Sequence, residues 1–533
     1  MPALAPADVV LINGRLLTMG RSPARAAAIA GERILALGDD REILSLRGRR
    51  TRVVDLRGRL ALPGFTDSHV HLASLALRLS EVDLTPARTR PAALGRIAAR
   101  ARRTPPGQWI MGGGFDKNRW GDAFPTRWEL DRVAPRHPVA LQSRDGHALW
   151  VNSAALERCG IDARTAVPSG GRMIGDACGH PSGILLERAG ELVYRSSAFP
   201  RQRLEPSRES LLVAQRFLLR RGITSIHLME ERPLFGALQA LRETGDLCPR
   251  VTVYRGRDDL SRLLGAGVRS GFGDEWLRIG GIKLLLDGAL GSQTAWLFRP
   301  YSNCDAGCGI SLMSRDELRD CLARAAVGGL ACAIHAIGDR ANAVALDILA
   351  EVRHLRTPLP HRIEHAQLLR PRDIPRFAEL GVVASMQPCH ILGDIAMAER
   401  YWGRRSRWAY AVRSLLNSGA TVAFGSDAPV ETADPIVGVY AAVRRQDVDG
   451  SPSDGWYRQE EGIRGMEALH AYTVAPALAS AEADVKGKLL PGYLADIVVL
   501  SEDVTRLRGR RMLKTEVDLV FVGGRLRYRR RSA

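Results

Sequence analysis

The chain has 533 residues, 45% of them hydrophobic and 25% charged, the profile of a soluble globular protein large enough for several packed layers. Lys and Arg number 76 against 58 Asp and Glu, a formal charge of +18, yet the only lysines are Lys117, Lys283, Lys486, Lys488 and Lys514. The excess is arginine dispersed along the chain, without a basic block and interleaved aromatics, so no nucleic-acid partner is expected. Eight cysteines are too sparse for a disulfide scaffold, and Cys304 and Cys308 form a C-x3-C with no second pair at matching spacing. No apolar stretch reaches the length of a membrane span, and Met1-Pro2-Ala3-Leu4-Ala5-Pro6-Ala7-Asp8 lacks the basic-then-apolar order of a signal peptide. The expectation is a cytoplasmic protein with no membrane partner.

In chain order, residues 9–62 read as short strands broken by turns. Val9-Val10-Leu11-Ile12, Asn13-Gly14 and Arg15-Leu16-Leu17-Thr18-Met19 predict a hairpin with a primed turn. The same texture returns near the other end, in Ala495-Asp496-Ile497-Val498-Val499-Leu500 and Val517-Asp518-Leu519-Val520-Phe521-Val522, and Leu11-Ile12-Asn13-Gly14-Arg15-Leu16 echoes Phe521-Val522-Gly523-Gly524-Arg525-Leu526. A small sheet needs a partner for its apolar face, so both ends are expected to share one β-sandwich-like subdomain, residues 1–62 and 487–533. The basic run Arg525-Leu526-Arg527-Tyr528-Arg529-Arg530-Arg531 reads as a solvated tail.

Between these ends the pattern alternates. The apolar run Leu60-Ala61-Leu62-Pro63-Gly64-Phe65 leads into Asp67-Ser68-His69-Val70-His71, and buried-type strands follow at 222–228, 250–254, 278–285, 330–335, 361–365, 381–386 and 420–425. Helix-like runs separate most of them, at 208–221, 315–327 and 341–353. Eight strand-and-crossover units predict an α/β fold, a (β/α)8 TIM barrel, over 63–71 and 207–486. The first connection, 72–206, is too long for a barrel loop and reads as an insertion over the barrel mouth, with a helix-like part at 90–103.

Functional groups of such a barrel gather at the C-terminal ends of its strands. Strand one ends in His69 and His71, which alternation places on one face about 7 Å apart along the backbone. Strand five ends in His335, strand six in His365, and strand eight in Asp427 of Phe424-Gly425-Ser426-Asp427-Ala428-Pro429. Imidazole and carboxylate are ligands for divalent metals. Lys283 lies within Gly281-Ile282-Lys283-Leu284-Leu285, where an ammonium group is costly unless neutral or paired. Two readings stay open for it: a carbamate formed with carbon dioxide, able to bridge two metals, or an ion pair with an acid such as Asp287.

This set, on a barrel with a subdomain built from both termini, resembles the amidohydrolase superfamily. Leu62-Pro63-Gly64-Phe65-Thr66-Asp67-Ser68-His69-Val70-His71, His335-Ala336-Ile337-Gly338-Asp339-Arg340-Ala341-Asn342 and Ser143-Arg144-Asp145-Gly146-His147-Ala148-Leu149-Trp150-Val151-Asn152 are similar to its amidohydrolase 3 branch, which includes N-substituted formamide deformylases. The resemblance implies one or two divalent ions, usually zinc: His69 and His71 on one, His335 and His365 on the other, Lys283 bridging if carboxylated. It implies that Asp427 binds metal and takes the proton of the attacking water. It further implies that Asp145 and His147 face the substrate, although His147 also reads as a loop-stabilising histidine. Gly112-Gly113-Gly114-Phe115-Asp116 and Trp120 read as either pocket wall or packed turn. His180 and His227 stand where the family favours acidic residues. The expected reaction is hydrolysis of a non-peptide C–N bond in a small amide or formamide. The alternatives are ester, lactone or cyclic-amide hydrolysis at the same centre, or a non-catalytic binding barrel. A homo-oligomer is compatible with all of these.

Overall fold

The computed structural model describes residues 6–20, 22–79, 81–121, 123–200, 206–230, 234–302 and 307–531; Met1–Ala5 and Cys304 lie outside them. Its centre is an eight-stranded parallel sheet. In chain order the strands are β1 (Phe65–Val70), β2 (Ile223–Glu230), β3 (Arg250–Gly256), β4 (Leu277–Leu285), β5 (Ala331–Ala336), β6 (Arg362–His365), β7 (Val383–Met386) and β8 (Val422–Phe424). Each pairs with its successor. The strands are buried on both faces, as continuous runs of Val, Ile, Leu and Ala require when helices cover the outside. The helices begin and end where local chemistry dictates. Ser314 caps Arg315–Val327 with a reciprocal Glu317 capping box, Ser207 caps Arg208–Leu219, and Gly381 ends Ile374–Leu380 in the left-handed region.

Closure between β8 and β1 occurs at the C-terminal end. The Asp427 amide donates to the His69 carbonyl at 2.7 Å, and the His71 amide donates to the Ala428 carbonyl at 2.9 Å. The Asp67 carboxylate, 1% exposed, reinforces the seam by accepting from the Ser426 amide at 2.9 Å, the Ser426 hydroxyl at 2.5 Å and the His69 amide at 3.1 Å. Gly425 lies so near that a Cβ there would sit 2.5 Å from the His69 nitrogen, so no larger residue fits.

The run preceding His69 is not one strand. Leu60–Pro63 belongs to a separate five-stranded sheet, between Arg15–Leu16 and Ile497–Leu500, and the chain enters the barrel only at Phe65. The turn between is Gly64, where a Cβ would collide with the Thr224 side chain at 2.2 Å. Val517–Val522 and Arg525–Arg529 complete that sheet. A second sheet holds Arg33–Gly38, Ala26–Ala30, Ala7–Ile12 and Arg47–Asp55 in that order.

Two local expectations are overturned. No hairpin forms at Asn13-Gly14: Ala7–Ile12 pairs with Ala26–Ala30 and Arg47–Asp55, while Arg15–Leu16 crosses to the other sheet. The crossing lets Leu11 and Leu16 share one core with Leu56 and Phe521. The similar Val522-Gly523-Gly524-Arg525 does make a hairpin, because Gly523 and Gly524 both adopt positive φ, 55° and 69°. The basic run is likewise not a free tail, since Arg525–Arg529 is a strand and Arg530 pairs with Asp518 and Glu516.

The connection after β1 carries its own six-stranded sheet, in the order Gly171–Gly175, Pro181–Glu187, Ala148–Val151, Val139–Ser143, Ile110–Phe115 and Val82–Asp83. Gly112 and Gly113 are strand residues here, each packed too closely for a Cβ, 2.3 Å from the Val82 carbonyl oxygen and 2.6 Å from that of Gln142. Trp120 is half-buried and packs against the core of this unit.

Arg250 at the start of β3 is 1% exposed and joins the barrel to the terminal sheets. It binds Asp496 with both Nε (2.7 Å) and Nη2 (3.2 Å) and lies over the Trp276 ring at 4.2 Å. Asp496→Ala removes the bidentate partner of this buried guanidinium and leaves it only Glu32 at 3.3 Å and the Glu275 carbonyl at 3.2 Å, a change that costs about 3 kcal/mol. A marked fall in the thermal unfolding midpoint is expected, and an unchanged midpoint would contradict this account of the junction.

Candidate metal centre

Five strand ends bring the predicted ligands to one cavity. It is lined by His69, His71, Lys283, His335, His365 and Asp427 together with the 142–147 loop of the insertion. Asp427 Oδ1 lies 3.4 Å from His69 Nε2 and 3.1 Å from His71 Nε2, and one ligand atom from each of the three falls within 4.8 Å of the others. The His69 ring is 4.9 Å from that of His365, which is 4.5 Å from that of His335. Lys283 is 3% exposed on β4 and adds positive potential beside these rings. Burial first, then Lys283, lowers the His69 pKa to about 4, so the imidazole is neutral and free to donate a lone pair. In Asp427 burial opposes ionisation, but His69, His71 and His365 outweigh it and hold the carboxyl well below its ordinary range.

The residues fit a metal ion. His69 Nδ1 meets Glu364 Oε2 at 2.6 Å, which fixes the tautomer and leaves Nε2 facing the cavity, the arrangement that orients metal-binding histidines. His365 Nδ1 is buried without a hydrogen-bond partner. His365 and Asp427 both adopt left-handed backbone conformations, φ 71° and 61°, and so does Ala366 at 42°. Such strain, of order 1–3 kcal/mol per residue, persists where surrounding structure imposes it, here at two candidate ligands. Asp427 is held by the hydrogen bond its amide donates to the His69 carbonyl and by the Val430 amide, which donates to its own carbonyl at 2.8 Å.

Beneath the cavity Arg362 is wholly buried. It donates to Glu364 Oε1 at 2.5 Å, the Ser68 carbonyl at 2.7 Å, the Ser385 hydroxyl at 2.5 Å and His227 Nδ1 at 2.8 Å. Burial disfavours the Glu364 anion, yet Arg362 and His69 reverse this and keep its carboxyl far below the usual range. His227 is thus an acceptor for Arg362, set below the ligand cavity. His180 is exposed on the insertion, 3.8 Å from Asp176, and does not line the cavity of the candidate ligands.

The insertion supplies the outer wall. Ser143, Asp145 and His147 form a tight turn with Gly146 at φ 78°, in which Asp145 Oδ1 accepts from the Ser143 hydroxyl at 2.5 Å and the His147 amide at 3.2 Å. His147 Nδ1 lies 2.8 Å from Glu187 Oε2, and its ring is 5.6 Å from that of His335. Burial works against a charged His147, but Glu187 dominates and pushes its pKa up to about 9. Arg144 ion-pairs with Glu431 beyond β8, tying insertion to barrel. Asn152, in contrast, caps a helix and braces Val139 away from the cavity.

Asp287, the alternative partner of Lys283, accepts three backbone amides, from Trp296 (2.8 Å), Ile337 (3.0 Å) and Gly338 (2.8 Å), and lies 3.7 Å from His335 Nε2. Sequence reasoning missed Glu364, Arg362, Glu187 and His390. An available signal was the i, i+2 pair Arg362/Glu364 within a buried strand, which puts both charges on one face. His390 follows β7 in a short turn with no comparable signal.

The chain is similar to known proteins over most of its length. The chain is 33% identical to the protein LONG AFTER FAR-RED 3 of Arabidopsis thaliana, over 94% of this chain and 88% of the relative. It is 30% identical to an N-substituted formamide deformylase of Arthrobacter pascens, over 98% of each. The crystal structure of an uncharacterised metal-dependent hydrolase from Pyrococcus horikoshii superposes with a TM-score of 0.76 at 31% identity, covering 94% of this chain and 98% of that one. The amidohydrolase family profile matches residues 52–528, and the chain belongs to that family, as a hydrolase of carbon–nitrogen bonds.

Proposed function

We propose that the protein hydrolyses a non-peptide C–N bond, of the amide or formamide type, in a small molecule. The observation that carries this reading is the position of Asp427, with one carboxylate oxygen between the Nε2 atoms of His69 and His71 and the other turned towards an open cavity. That outer cavity has an apolar side formed by Phe115, Phe124, Leu290, Met397 and Val430, suited to an N-substituent. The formamide deformylase similarity supports the acyl side of the reading.

His69, His71, His335, His365 and Asp427 would hold one or two divalent ions, with zinc matching the imidazole-rich set. A carbamate on Lys283 would place an anion among four histidines and so relieve the positive charge packed there. When bound, the metal would supply an acidified water near neutral pH and polarise the substrate carbonyl. Asp427 accepts the proton of the attacking water and returns it to the leaving nitrogen. Glu364 keeps His69 oriented, and the Asp145–His147 turn contacts the substrate beside the reacting carbon. The seven described cysteines are all free, in keeping with a reducing cytoplasm. No helix among the described residues is long and apolar enough to cross a membrane.

The test is turnover of a panel of N-substituted formamides, acetamides, esters and lactones by the zinc-loaded protein. Cleavage of formamides or amides is expected, and full activity in metal-free protein would sink the reading. Asp427→Ala should lower kcat by about 100–10,000-fold. Glu364→Gln weakens the hold on His69 and should reduce metal affinity about 10–100-fold, measured by competition with a chromogenic chelator.

A further inference from the structure

Asp427 stands on the boundary between two cavities. Its Oδ1 faces the Nε2 atoms of His69 and His71, in the inner cavity with the candidate ligands. Its Oδ2 faces His390 Nε2 across 3.6 Å, and His390 lines only the outer cavity. His390 sits in the turn Pro388–His390 that follows β7, its ring 6.0 Å from that of His365 and its side chain 13% exposed. A separation of 3.6 Å is too long for a hydrogen bond, and Nε2 is buried with no hydrogen-bond partner. An unsatisfied buried nitrogen at the mouth of a reaction cavity is a site for a polar atom of the substrate.

The identity of that atom follows from chemistry. A carboxylate can only accept, so Nε2 facing Asp427 favours the tautomer that carries its proton there. The amide nitrogen is a poor acceptor because its lone pair is delocalised, which leaves the carbonyl oxygen. We propose that His390 is a catalytic residue that donates a hydrogen bond from Nε2 to the carbonyl oxygen of the substrate as it becomes an oxyanion. This rests on the C–N hydrolase reading above. Water oxygen bonds to the carbonyl carbon, the π pair moves onto oxygen next to His390, and Asp427 takes the water proton. Collapse restores the C=O bond, breaks C–N and passes that proton to nitrogen, releasing amine and carboxylic acid. The hydrogen bond strengthens as charge develops, so its loss should appear in kcat rather than KM.

The experiment uses the zinc-loaded full chain with N-(2-phenylethyl)formamide, and 3-phenylpropylphosphinate as a stable mimic of the tetrahedral adduct. His390→Ala is expected to retain its metal and its KM while kcat falls about 100–1,000-fold, with phosphinate affinity falling in parallel. His390→Gln, which keeps a donor, should recover part of both losses. An unchanged kcat, a rise in KM alone, or loss of metal from His390→Ala would overturn the assignment. If the wild type cleaves no C–N compound, the hydrolase reading falls by itself and the phosphinate titration decides on His390: weaker binding to His390→Ala with metal retained supports the assignment. Equal affinity, or a phosphinate that the wild type does not bind, overturns it.

Discussion

The site depends on the seam where the barrel closes. β1 and β8 are the first and last barrel strands, and only a few hydrogen bonds at their C-terminal ends unite them. One of these bonds runs from the Asp427 amide to the His69 carbonyl, so barrel closure and assembly of the His69–His71–Asp427 cluster are one event. Asp67 makes the seam polar and fully satisfied. Burial raises its pKa to about 6, while the amides of Ser426 and His69 and the Ser426 hydroxyl oppose that rise. A buried carboxylate with three donors is a specific clamp, since a register shift would leave it unpartnered.

Below the seam, charge is arranged in a column. Arg362 neutralises Glu364, Glu364 orients His69, and His69 presents its other nitrogen to the cavity. Through Ser68 the column is tied to β1 itself, and through His227 and Ser385 to two further strands, β2 and β7, so the candidate ligands rest on the barrel core rather than on loops. Above it, the insertion adds a wall that the barrel lacks. Arg144 ties this wall to Glu431 of the barrel, and His147 pairs with Glu187 inside the insertion itself.

Much of this was legible in the sequence because barrel strands carry their functional groups at predictable ends. His69, His335, His365 and Asp427 each follow an apolar run, and their shared placement gives weak motifs combined force. What escaped was of two kinds. Strand partners are set by packing, so Asn13-Gly14 read as a turn although its neighbours pair with different sheets. His390 acquires meaning only through its contact with Asp427, and Glu364, although its pairing with Arg362 two residues away was a local signal, shows its role only at His69. The insertion sheet was hidden for a related reason, since its glycine-rich strand Ile110–Phe115 owes its conformation to close neighbours rather than to β-propensity.

The placement of Leu60–Pro63 bears on how the molecule comes into being. This short strand pairs on one side with Arg15–Leu16 and on the other with Ile497–Leu500, one residue before the chain dives into the barrel. On the ribosome its second partner emerges only after every barrel strand has been made. Until then an apolar edge stays open beside the strand that will bear His69. Long-range pairing of this kind folds slowly and exposes unpaired edges, which favours help from a chaperone. The strand that leads the chain into the centre thus gains its second neighbour from beyond the barrel, and its apolar edge waits for that neighbour.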